Sequence, residues 1–252
     1  MGYSHLTFFI PIKTKKAHSL EYNSSLQIFA ANKLFFMIKG IIFDLDGTLV
    51  NSIEDIADST NQVLDEKSFP THDYKAYKTF VGRGVKKLVE NSIPANNRDD
   101  KTLNDCFEKM MEIYNTNCIV KTSLYPGIAE LLSTLNSKGI KLSIFSNKAN
   151  ELTQKVVKSL FADWKFEKVI GSGDKIPRKP NPKGALFLSN EMNINPEKLI
   201  FVGDSGVDME TANKAGMYAI GVLWGFRDME ELLENGAQTI LNHPMELLNS
   251  LS

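Results

Sequence analysis

The chain has little of what would tie it to a membrane, a nucleic acid or an oxidising compartment. Among its 252 residues are two cysteines, Cys106 and Cys118, with 11 residues between them. They show no zinc-ligand spacing, and the four histidines, His5, His18, His72 and His243, are scattered. Both cysteines fall in a stretch that reads as one helix, so no disulfide between them is expected. Two unpaired thiols suit a reducing cytosol, and a cytoplasmic location is expected. No uninterrupted apolar run reaches the roughly 18 residues of a transmembrane helix, so no membrane span is expected. Leu6–Ile12 is too short, and lacks the basic start, for a secretory signal. The net charge of −1 gives no basic field to attract nucleic acid. No internal repeat or low-complexity tract is visible.

What remains is an ordinary globular composition, 42% apolar and 23% charged. The length allows one large domain or two small ones. The most informative stretch runs from Lys39 to Val50. Ile41-Ile42-Phe43 reads as a buried strand. It ends in Asp44 and Asp46, followed by Gly47 and Thr48. A carboxylate at the carboxyl end of a parallel strand sits where open α/β sheets place their chemistry. Asp44 can serve there as a nucleophile and Asp46 as an acid or base. Gly47 lets the chain turn just after the pair.

Beyond Val50, helical periodicity dominates. A helix is expected from Asn51 or Ser52 to about Glu66, then Asp73 to Phe80, then one from Val85 that Pro94 ends, and a long one ending near Cys118. Met110 and Met111 read as core packing on that last helix. From Tyr125 the pattern alternates. Strands are expected at 141–145, 168–170, 199–202 and 219–223, and helices at 127–138, 149–160, 182–192 and 208–215. Two short helices, 229–235 and 245–248, close the chain. Such alternation predicts an α/β fold, a parallel sheet covered by helices on both faces. Residues 37–50 and 123–252 then form a discontinuous core around a helical insert, 51–122. Residues 1–36 are expected to be a poorly ordered extension or the product of an upstream start codon, with Met37 as the natural start.

Three later segments complete a pattern with the first. They are Ile144-Phe145-Ser146-Asn147, Arg178-Lys179-Pro180-Asn181-Pro182 and Phe201-Val202-Gly203-Asp204-Ser205-Gly206-Val207-Asp208. Together with the Asp44–Asp46 run they resemble, in order, the four motifs of the haloacid dehalogenase-like hydrolases. The resemblance covers the chain from about Met37 to its end. It implies a Rossmann-like core and makes the helical insert a cap over the active site. The subgroup that the chain most resembles is the phosphoglycolate phosphatases, including the run Gly221-Val222-Leu223-Trp224-Gly225-Phe226-Arg227.

By that resemblance Asp44 attacks phosphorus and becomes an aspartyl-phosphate. The implied cofactor is Mg²⁺, a hard ion that takes oxygen ligands. Its implied ligands are the Asp44 carboxylate, the Asp46 main-chain carbonyl and Asp204, with Asp208 in support. Asp208 also reads as a helix N-terminal carboxylate, and it could do both jobs. Ser146 and Asn147 are implied phosphate binders, although Ser146 alone would read as a helix cap. Lys175, Arg178, Lys179 and Lys183 crowd one loop, either as a solvated rim or as a phosphate-attracting one. The resemblance selects Lys179, a point charge for the phosphate and for Asp44. An alkoxide leaving group needs a proton and a halide does not, so Asp46 argues for phosphoryl transfer and against dehalogenation.

Arg83, in Gly82-Arg83-Gly84, either pairs with a substrate carboxylate or sits in a solvent-exposed capping turn. Trp224 either joins the site rim or packs in the core. The expected function is a Mg²⁺-dependent phosphatase of a small phosphorylated metabolite, 2-phosphoglycolate first. The alternatives are a pyrophosphate, nucleotide or sugar phosphatase, a β-phosphoglucomutase-like mutase, and a non-catalytic phosphate-binding regulator. Neither nucleic acid nor membrane is expected as a partner, and the chain is expected to be a monomer or homodimer.

Overall fold

In the computed structural model, which describes residues 38–173, 176–249 and 251, Gly40–Phe43 forms a strand, β1, with every residue buried. Side chains alternate along a strand, so Ile41 and Phe43 face one side and Ile42 the other. None of the three is more than 1% exposed, so both faces of the sheet are covered at this point. A strand with no solvent face is the kind that central positions of parallel sheets require. β1 is flanked on one side by β4 (Lys141–Ala149) and on the other by β6 (Leu199–Gly203), both parallel to it. Outside these lie β5 (Lys168–Ser172), β7 (Tyr218–Val222) and β8 (Thr239–Leu241). The order is β5-β4-β1-β6-β7-β8, all in parallel register. Strand order reverses direction at β1, so the crevice beyond its carboxyl end is the natural place for a ligand.

Ile42, Phe145 and Phe201, from the three central strands, join one apolar cluster with Ala185, Leu188 and Met209. Those partners lie on α7 (Lys183–Met192) and α8 (Gly206–Ala215). α5 (Ile128–Ser137) and α6 (Asn150–Leu160) also pack on the sheet, and α9 (Met229–Glu234) covers β7. α10 (Glu246–Asn249) ends the described elements. Two elements depart from the expected boundaries for local reasons. β8 was not expected, because three residues are too few to show alternation. β4 runs four residues past 145, with a register shift between Phe145 and Ala149. That irregularity lifts Ser146–Lys148 out of regular pairing at the site end of the sheet.

The insert holds α1 (Ile53–Glu66), α2 (Tyr74–Phe80), α3 (Val85–Ser92) and α4 (Asp100–Asn117). Asp73 and Asp99 cap α2 and α4 by accepting from Ala76 N at 2.7 Å and Thr102 N at 3.0 Å. The chain enters and leaves the insert through an unexpected two-stranded ribbon. β2 (Val50–Asn51) pairs antiparallel with β3 (Ser123–Leu124), astride the boundaries expected at 50/51 and 122/123. Both cysteines are buried and free. Among the described residues no helix is long and apolar enough to cross a membrane. The expected extension 1–36, Met37 and Lys175 lie outside the described residues.

Asp55 stitches the ribbon to the insert. Its buried carboxylate accepts from Lys121 N at 2.9 Å, Thr122 N at 2.8 Å and Thr122 Oγ1 at 2.7 Å. Asp55→Ala would strand these donors, so it should destabilise the fold by about 2–4 kcal/mol. Urea denaturation checks this, and a loss below about 0.5 kcal/mol would remove Asp55 from this role.

Candidate active site

The carboxyl ends of β1, β4 and β6 converge, because these strands are neighbours in register. Phe43 is paired with Ile144 on one side and Val202 on the other. Asp44, Ser146 and Asp204 therefore emerge at one end of the sheet within a few residues of the same level. Asp44 is held there by its N–H, which donates to Val202 O at 2.9 Å. Its Oδ1 accepts from Leu45 N at 2.6 Å and lies 2.7 Å from Lys179 Nζ. Lys179 also reaches Asp208 Oδ1 at 2.6 Å, and it is 4% exposed.

Asp208 fills the helix N-terminal position expected of it and also pairs with Lys179. Its Oδ2 accepts from Ser205 N at 3.1 Å, closing a capping box at the start of α8, while Oδ1 holds Lys179. Asp204 accepts from Thr48 Oγ1 at 3.1 Å and from Phe226 N at 2.8 Å. Gly47, at φ 89°, makes this approach possible, since a Cβ there would lie 2.3 Å from Asp204 Oδ2.

One carboxylate oxygen each from Asp44, Asp204 and Asp208 lie within 4.8 Å of one another, and all three residues are buried. Three carboxylates thus face one ammonium, leaving two negative charges without a counter-charge. The strain shows in proton affinity. Burial, then repulsion from Asp208, pushes the Asp204 carboxyl from 3.8 up to about 7, against donation from Phe226 N. Burial also raises Asp44, opposed by Lys179 and reinforced by Asp208 and Asp204. A clustered oxygen set with a deficit of two charges fits a hard divalent cation.

Asp46 sits apart from this cluster. Its Oδ1 accepts from Ser52 Oγ at 2.6 Å and from Lys148 Nζ at 3.0 Å. Ser146 is buried, and its Oγ accepts from Lys148 N at 3.1 Å. Among the described residues its hydroxyl proton has no acceptor. The Asn147 side chain is spent on the protein itself. Its Oδ1 accepts from Lys179 N at 2.8 Å, and its Nδ2 donates to Lys179 O at 3.1 Å and Gly82 O at 2.9 Å. It aims the lysine loop and grips the helical insert.

A cavity of about 60 Å³ lies over these groups. Asp44, Asp46, Ser146 and Asp204 line it from the sheet, and Ile56, Val81, Val85, Leu88, Met110 and Tyr114 from the insert. Met110, read from the sequence as core packing, is fully buried and also forms a wall. Arg83 is exposed and lines an outer groove with Lys87 and Glu231 that adjoins this cavity across Val81, Gly82 and Arg227; Arg83 itself does not line the cavity. Trp224 is half-buried at the rim, where its Nε1 donates to Thr48 O at 2.9 Å. Sequence reasoning passed over Lys148, which is buried against Asp46. It follows the second motif directly, and that position was its one visible signal.

A family model described as haloacid dehalogenase-like hydrolase matches residues 41–222. A phosphoglycolate phosphatase of Mannheimia succiniciproducens is 34% identical over 195 residues, 75% of this chain and 87% of the relative. One of Aquifex aeolicus is 33% identical over 186 residues, 74% of this chain and 85% of the relative. The solved structure of a haloacid dehalogenase-like family hydrolase of Streptococcus pneumoniae superposes with a TM-score of 0.77 at 26% identity, covering 86% of this chain and 99% of that one. With the motif residues gathered at one end of a parallel sheet, these matches make the chain a member of the haloacid dehalogenase-like hydrolases.

Proposed function

We propose that the protein is a Mg²⁺-dependent phosphatase that hydrolyses a small phosphate monoester, 2-phosphoglycolate first, through an aspartyl-phosphate on Asp44. The observation that carries this reading is the buried Asp44–Lys179 pair beside Asp204 and Asp208, with Asp44 and Asp204 lining a small cavity. A cavity of this kind suits a small leaving group. The names of the Mannheimia and Aquifex relatives support the same substrate.

Asp44 presents its second oxygen to phosphorus while Lys179 holds the first. The Lys179 ammonium has three N–H donors and spends two on Asp44 and Asp208, which leaves one for a phosphoryl oxygen. Ser146 offers its free hydroxyl proton to another. The leaving alkoxide takes a proton from Asp46. Asp46 then removes one from the water that cleaves the aspartyl-phosphate, so acid and base roles alternate on one carboxyl. Mg²⁺, held by the Asp44 and Asp204 carboxylates and the Asp46 carbonyl with Asp208 behind them, would supply the positive charge that lets a carboxylate approach a phosphate dianion.

Asp44→Asn should lower turnover by about 10⁴-fold or more, measured as phosphate release in protein purified free of host phosphatases. Asp46→Asn should behave differently with p-nitrophenyl phosphate, whose leaving group needs no proton. A burst of about one equivalent of nitrophenol per site should precede a stall, because the second half-reaction lacks its base. Steady turnover of that variant without a burst would remove Asp46 from the second step. A phosphate-release panel of phosphoglycolate, pyrophosphate, nucleotides and sugar phosphates tests the substrate. Dominance by another member would replace it, and isomerised phosphosugar without phosphate release would favour a mutase.

Metal dependence has a readout apart from activity. The Asp204 carboxyl, ordinarily at 3.8, is held at about 7 in the metal-free fold. Between these values the folded state binds more protons than the unfolded one, so metal-free stability falls as pH rises through that window. Added Mg²⁺ should therefore raise the melting temperature at pH 8, by about 5 °C or more at a hundredfold excess over its dissociation constant. The rise should shrink towards pH 5. No Mg²⁺ effect on melting at pH 8 would argue against metal at these carboxylates.

A further inference from the structure

Lys148 is a buried cation that the phosphoryl-transfer steps above do not use. Its side chain is 3% exposed, and its Nζ lies 3.0 Å from Asp46 Oδ1 and 2.5 Å from Tyr114 Oη. The ammonium also stands 4.6 Å from the centre of the Tyr114 ring. An ammonium carries three donors. Among the described residues two acceptor groups meet them, Asp46 and Tyr114, and the residue lines the cavity. Around it the walls are apolar, Ile56, Val85, Leu88 and Met110. A charge placed in such a lining is costly unless its donors are met.

We propose that Lys148 is the specificity-determining residue of the site, pairing with a carboxylate carried on the leaving group, so that the preferred substrates are phosphate esters of short 2-hydroxy acids. The proposal rests on the phosphatase reading above. Asp46 must touch the ester oxygen to protonate it, and Lys148 Nζ lies 3.0 Å from Asp46 Oδ1. A carboxylate one carbon removed from that ester oxygen would be carried towards the same ammonium. Other cations near the site have other tasks or lie elsewhere. Arg227 donates to Lys78 O and Val81 O and pairs with Glu231, while the one donor that Lys179 has left beside Asp44 and Asp208 is assigned above to a phosphoryl oxygen. Arg83, the sequence-level candidate, is exposed in the outer groove. The assignment gives the two buried lysines separate ends of one substrate.

The test compares 2-phosphoglycolate with its amide, an ester of nearly equal size that lacks the charge. Wild-type protein should favour the acid in kcat/KM by about tenfold or more, the size of one charge-assisted hydrogen bond. Lys148→Met should bring that ratio close to one, chiefly by raising KM for the acid, and Lys148→Arg should restore part of it. Arg83→Ala should leave the ratio standing, and Lys148→Arg reads the role even if Lys148→Met fails to fold. Equal hydrolysis of acid and amide by wild type would overturn the proposal while leaving the phosphatase reading intact. So would a Lys148→Met variant that loses both substrates equally, since Lys148 would then act only by positioning Asp46. Loss of the ratio in Arg83→Ala would return the role to Arg83. No phosphate release from either ester, nor from the wider panel, would instead sink the phosphatase reading itself.

Discussion

An uncompensated buried charge governs this structure. Asp44, Asp204 and Asp208 crowd one buried pocket with a single ammonium among them. Like charges at such separation repel strongly where water is excluded, and nothing in the hydrophobic core repays that cost. The fold holds them together because they sit on its most rigid parts, the ends of the two innermost strands and the first turn of the helix that follows. Each carboxylate is also fixed by neutral donors, Leu45 N for Asp44, Thr48 and Phe226 for Asp204, and Ser205 for Asp208. Lys179 lies 5.7 Å and 5.8 Å from the centres of the Phe145 and Phe201 rings, so its cation rests on two π faces as well as on carboxylates. The pocket is thus preorganised for positive charge, at a cost in stability.

The same residues tie the chemistry to the helical insert above it. Phe226 N steadies Asp204, and the next residue, Arg227, holds Lys78 O and Val81 O at the end of α2. Asn147 aims the Lys179 main chain and grips Gly82 O. Lys148 holds Asp46 and meets Tyr114 on α4. In each case a group that orders the site is also, or is next to, a group that holds the cover. These links are hydrogen bonds to main-chain carbonyls and one hydroxyl, each worth on the order of 1 kcal/mol net. Together they hold the insert against the sheet end through several modest contacts and no single strong one.

Much of this was legible in the sequence because the site is built at strand ends. A strand is a short apolar run, and the residue that follows it is placed by the sheet. Asp44 could therefore be found by position, and Ser146, Asp204 and Lys179 by their motifs. The elements that were missed are those too short for periodicity, β2, β3 and β8. The helical insert was visible through its 3.6-residue pattern, but its docking onto the site was not. That docking depends on contacts such as Arg227 to Val81, between residues 146 positions apart. Asn147 and Lys148 were hard to read for a related reason. Their backbone lies in a register shift of β4, so neither side chain follows the alternation that a regular strand would impose. Asn147 turns its amide to other parts of the chain, and Lys148 turns a charge into an apolar wall.

If the phosphatase proposed above acts through Asp46, selection among phosphate esters would follow from where the insert gets its bonds. A leaving group larger than the cavity would have to push α2 and α3 away from the sheet. The carbonyls of Lys78, Val81 and Gly82 would leave Arg227 and Asn147, and Tyr114 would leave Lys148. The loss would not stop at the cover. Asn147 would keep the Lys179 loop with one fewer anchor, and Asp46 would keep Lys148 without its second support. A bulky ester could still bind through its phosphate, since Lys179 and the carboxylate cluster belong to the sheet. It would do so with the acid–base group less well held and open to water. On this argument size is read mainly in the rate of the chemical step, through the geometry of Asp46, while the phosphate itself is bound much the same in every substrate.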